Sequence, residues 1–111
     1  MRFSLLGALF LFSVNTYAIG DINCERSDGN ALLEVEYIND TQAGVSEVSG
    51  DVGWAVTATY EKLVLPTKPN TILTRLNLDN GATLKIFELN LHSFGILVYP
   101  SGSIHFYHCG N

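Results

Sequence analysis

Residues 71–91, TILTRLNLDNGATLKIFELNL, contain two alternating runs joined by Asp79-Asn80-Gly81. An Asn-Gly step supplies the positive φ angles that tight hairpin turns require, so the stretch predicts an antiparallel hairpin of residues 71–78 with 82–91. One hairpin cannot stand alone in water, so the rest of the chain must supply further strands for it to pack with.

The flanking sequence does so. Towards the C-terminus, residues 94–99 and 103–109 are joined by Pro100-Ser101-Gly102, where proline presets the first central dihedral of a turn and glycine tolerates the second. In residues 52–65, Trp54, Val56, Ala58 and Tyr60 share one face of a strand, opposite Ala55, Thr57, Thr59 and Glu61, and the aromatic face is expected to be core. Pro66 and Pro69 end this strand because proline cannot donate to a ladder and restricts its predecessor. Residues 31–39, ALLEVEYIN, put Leu33, Val35 and Tyr37 on the expected core face and Leu32, Glu34, Glu36 and Ile38 on the other. A short first strand at 22–26 ends in the turn formers Ser27, Asp28, Gly29 and Asn30. Residues 40–53 are rich in Gly, Ser, Asp and Thr, and fit a loop as well as a short edge strand.

No stretch of twelve or more residues keeps a helical stripe. The chain is therefore expected to be all-β: a small antiparallel meander of six to eight strands, closing as an up-and-down barrel or a two-layer sandwich.

The ends of the chain bear on where the protein works. Residues 1–18, MRFSLLGALFLFSVNTYA, combine Arg2, an apolar run from Leu5 to Val14, and small residues at Thr16 and Ala18. That is the layout of a secretory signal peptide, and the run is too short to span a bilayer. Cleavage after Ala18 would leave residues 19–111 as one domain, in the periplasm or outside the cell, with no stable membrane anchor. Loss of Arg2 leaves five Lys or Arg against 11 Asp or Glu, a net charge of −6. Without a basic cluster, nucleic acid is not expected as a partner. In an oxidising compartment Cys24 and Cys109 are expected to pair, tying the first strand to the last, and this favours closure.

The terminal stretch HFYHCGN, residues 105–111, invites a metal or thiol reading. On a strand, His105, Tyr107 and Cys109 point one way and Ile104, Phe106 and His108 the other, so the two histidines cannot grip one ion. A catalytic Cys109 would have to escape oxidation by Cys24. Phosphate-binding glycine loops, dinucleotide fingerprints and nucleophile elbows are absent from the sequence. Glu34 and Glu36 read as a solvated outer face. Asn39-Asp40-Thr41 fits a glycosylation sequon.

The expectation is thus a small exported domain without catalytic residues, metal or cofactor, which binds either a protein partner, as a hydrolase inhibitor would, or a small ligand. Tyr99 beside its turn and Lys68 in the proline loop are the candidate contact residues. Two rivals are a metal-assisted enzyme using His92, His105, His108 and Glu88, and a structural subunit of an envelope or extracellular assembly.

Overall fold

Alternation in the sequence becomes a single closed wall. The computed structural model describes residues 21–66, 71–89 and 92–110, and the expected leader and Lys68 lie outside them. Its eight strands, in chain order, are β1 (Ile22–Arg26), β2 (Leu32–Tyr37), β3 (Gln42–Ser49), β4 (Val52–Leu65), β5 (Thr71–Leu78), β6 (Thr83–Leu89), β7 (His92–Val98) and β8 (Ile104–Gly110). Each pairs antiparallel with the next, and β8 pairs back onto β1, so the sheet is an up-and-down barrel and not a sandwich.

Register fixes the barrel's width. Stepping across the strands from Leu63 on β4, the ladder runs through Leu73, Phe87, Phe94, His108, Glu25, Leu32 and Val48 and returns to β4 at Gly53, ten residues from its start. For eight strands this stagger tilts them by roughly 40° and leaves an interior that side chains alone can fill. Leu33, Val35, Val45, Leu76, Leu84, Ile86, Leu97 and Tyr107 fill it, all essentially inaccessible to water. Each buried aliphatic chain contributes roughly 1.5–3 kcal/mol relative to an exposed one.

The region 40–53 departs from the loop alternative. β3 is a full strand paired along its length with β2 and β4, and it has no free edge. Ala43, Val45 and Glu47 point inward from it. His92, expected in a loop, is instead the first residue of β7, paired with Leu89.

The predicted disulfide forms. Cys24 and Cys109 face each other directly across the β1–β8 seam, and their bond closes a circuit of 85 residues. The 79–81 turn also forms as read: Gly81 has φ 90°, and a Cβ there would lie 2.9 Å from Pro100 Cγ in the neighbouring β7–β8 turn. Gly81→Ala therefore combines left-handed strain with a clash, and should cost about 1–3 kcal/mol, seen as a lower midpoint in chemical denaturation. Gly102→Ala has φ 95° but open space around it, so it should cost less.

Candidate functional site

Three regions collect polar or exposed side chains that packing alone does not require. The first lies inside the barrel at the end carrying the β1–β2, β3–β4, β5–β6 and β7–β8 turns. Glu47 projects inward from β3 and is 6% exposed. Its Oε1 accepts hydrogen bonds from Trp54 Nε1 at 3.2 Å and from the Tyr99 hydroxyl at 3.0 Å, and its Oε2 accepts one from the Tyr107 hydroxyl. β3 stands across the lumen from β7 and β8, so the carboxylate is a strut between opposite walls. A buried carboxylate needs such donors, because desolvation without them is costly.

Neighbouring groups respond to that arrangement. Burial pushes the Tyr107 phenol far above its ordinary range, and its hydrogen bond to Glu47 acts in the same direction. Tyr99 is raised for the same two reasons. Arg26, paired with Asp28 at 2.9 Å, lies within electrostatic reach of both Glu47 and Tyr107. The His105 ring packs edge-on against Tyr99 with centroids 5.3 Å apart, and its buried Nδ1 has no hydrogen-bond partner. With all three donors directed at it and little exposure, Glu47 is held as a structural acceptor. No second inward carboxylate faces it, among the described residues, in the way an acid and base pair would require.

The opposite end of the lumen is less well satisfied. The Tyr37 ring stacks at a tilt on Tyr60, with centroids 4.8 Å apart, and lies beneath Lys62 Nζ at 4.8 Å. Tyr37 OH and Thr74 Oγ1 are both buried and neighbouring, yet neither makes a hydrogen bond of acceptable geometry. Burial pushes the Tyr37 phenol up to about 12, with Glu88 adding to the rise. The unfolded chain releases that proton near pH 10, so stability is full below pH 10 and falls as pH rises towards 12. Tyr37→Phe should make this alkaline loss shallower, measured as denaturation midpoints between pH 9 and 12.

The third region is the outer wall. On β7 and β8 the outward positions are His92, Phe94, Ile96, Val98, Ile104, Phe106 and His108, with no Asp, Glu, Lys or Arg among them. Phe106 is 55% and Ile104 52% exposed, and Phe94 stacks on Phe87 of β6 with centroids 5.0 Å apart. Elsewhere the wall is polar: Glu34 and Glu36 on β2, Ser46 on β3, Thr57, Thr59 and Glu61 on β4. An apolar interior within a wall bearing these charges is the reverse of a barrel that spans lipid.

No protein-family model matches the chain, nor does any curated protein or solved structure. Function therefore has to be read from these three regions.

The residues singled out in the sequence are scattered over them. Tyr99 is not free beside its turn; it is partly buried against the core and bonded to Glu47. His105 points inward at the turn end, whereas Glu88 points inward at the other end. His92 and His108 are on the outer wall. The four do not converge, and among the described residues no group of three or more His, Cys, Asp or Glu is placed to hold a metal. Asn39 Oδ1 accepts the backbone N–H groups of Thr41 and Gln42, so the sequon asparagine shapes the β2–β3 turn. Sequence reading missed Glu47 and the outer face of β7–β8. Period-two spacing of Ala43, Val45 and Glu47 was the available signal for the first. The run Phe94, Ile96, Val98 opposite Ile104 and Phe106 was the signal for the second.

Proposed function

We propose that the protein is a small exported binding domain that contacts a protein partner through the outer face of β7 and β8, without catalysis of its own. The observation carrying this reading is the uncharged apolar patch of Phe94, Ile96, Val98, Ile104 and Phe106, left in water on one side of an otherwise polar wall. Contiguous exposed apolar surface of this kind on a small soluble domain marks an interaction site, and exposed aromatics anchor such interfaces. Side chains fill the lumen, which favours a partner outside over a ligand within. The leader-like first 18 residues and the disulfide support export. A −6 mature charge suits a basic partner, and inhibition of a basic hydrolase is one job within this reading.

Phe94→Glu and Phe106→Glu test it. Both sites face solvent, so the fold should persist, judged by circular dichroism and thermal midpoint. Affinity for a protein captured by the wild-type chain should fall at least ~10-fold for each, the loss of one anchoring contact. Unchanged affinity in both variants would refute the assignment of this face.

A further inference from the structure

Beyond the apolar face the outer wall turns acidic without a break in the surface. Cross-strand neighbours run from Phe94 to His108, Glu25, Leu32 and Val48, passing from β7 to β3. An open recess on this side is lined by Glu25, Leu32, Glu34, Ser46, Val48 and His108. Its apolar members are left in water, Leu32 at 63% and Val48 at 54% exposure. Among the described residues neither Glu25 nor Glu34 has an ion-pair partner. The described cations are placed elsewhere: Arg26 is on Asp28, Arg75 on Glu61, Lys62 over Tyr37, and Lys85 stands on β6 with β7 and β8 between it and the recess.

We propose that this recess receives a Lys or Arg side chain from the protein partner that docks on β7 and β8. The aliphatic stem would lie on Leu32 and Val48 and the cation would reach Glu25 and Glu34. Lysine and arginine match such a surface because they combine an apolar stem with a charged head. Covering the recess lowers the local dielectric and strengthens the attraction between unlike charges beyond its value in open water. A second copy of the chain is a poor occupant, since each carries −6 and would bring like charge to the same rim. The inference rests on the proposed docking face, and deepens it by giving the partner's chemistry: an apolar surface flanked by a basic residue.

A random dodecapeptide display library, selected against the oxidised full domain, provides an unbiased probe. Enriched peptides should pair Lys or Arg with aromatic or aliphatic residues. A synthetic copy of the best peptide should bind at least ~10-fold more weakly to Glu25→Lys/Glu34→Lys, and also to the milder Glu25→Gln/Glu34→Gln. Replacing its basic residue with norleucine should produce a similar loss, and binding should weaken with added salt. Peptides without basic residues, or binding lost in Phe106→Glu but kept in both glutamate variants, would overturn the recess while leaving the docking face standing. Binding indifferent to Phe106→Glu and to the glutamate variants alike would overturn both. Sedimentation as a dimer at micromolar concentration, abolished by Phe106→Glu, would assign the face to a second copy and also overturn the proposal.

Discussion

Replacing both cysteines, Cys24→Ala with Cys109→Ala, is expected to remove about 4–5 kcal/mol of stability, the largest single effect in the molecule. The bond spans 85 residues, so the unfolded chain it constrains is nearly the whole domain. Loop-closure entropy for that length gives the stated magnitude as an upper figure, because a cross-link between directly paired strands costs the native state little rearrangement. A domain of this size commands only about 5–14 kcal/mol in total, so the reduced protein should lie near its folding threshold at 37 °C. Urea unfolding with and without reductant reads the effect as a midpoint lowered by roughly 2–4 M. Midpoints that coincide would show that the β1–β8 seam holds through its ladder alone.

Glu47→Ala is the second large effect. It strands the buried hydroxyl of Tyr107, frees the partners on Trp54 and Tyr99, and leaves a gap between opposite walls. One buried unpaired hydroxyl costs about 1–3 kcal/mol and the gap adds to it, so a loss of about 3–4 kcal/mol is expected. Tyr107→Phe should cost less, because Glu47 keeps two donors. In the double variant Glu47→Leu/Tyr107→Phe no hydroxyl is stranded at position 107, and the combined loss should fall short of the sum by about 1 kcal/mol or more. Strict additivity, read from denaturation midpoints, would mean that the strut does not act as a unit.

Much of this barrel was legible because its turns announce themselves. Asn80-Gly81 and Pro100-Ser101-Gly102 set two hairpins, and the Trp54 to Tyr60 alternation set the inward face of β4. Closure was legible through the cysteines at the two ends, since adjacent first and last strands allow that pairing without loss of ladder. β3 was harder for a physical reason. Its outward residues include Gly44 and Ser46 and its inward ones end in Glu47, so the contrast between faces that signals a strand is weak. What makes it a strand is the pairing of both its edges, a property of β2 and β4. Glu47 was hidden for the same cause: an inward carboxylate is stable only with donors supplied 52 and 60 residues away, by Tyr99 and Tyr107. The outer patch escaped notice because Phe106 and Ile104 read locally as ordinary strand residues. Only the closed register shows that their whole face lacks charge.

An oxidised, exported barrel that holds another protein on β7 and β8 should leave its cell with that protein bound. Native, non-reducing mass spectrometry of the protein recovered from exporting cells tests this most directly, with wild type and Phe94→Glu/Phe106→Glu run side by side. The predicted result is a chain of residues 19–111 with both thiols oxidised, in a stoichiometric complex with a second protein that the double variant loses. A stoichiometric metal or small molecule retained by both chains, or reduced cysteines, would contradict it.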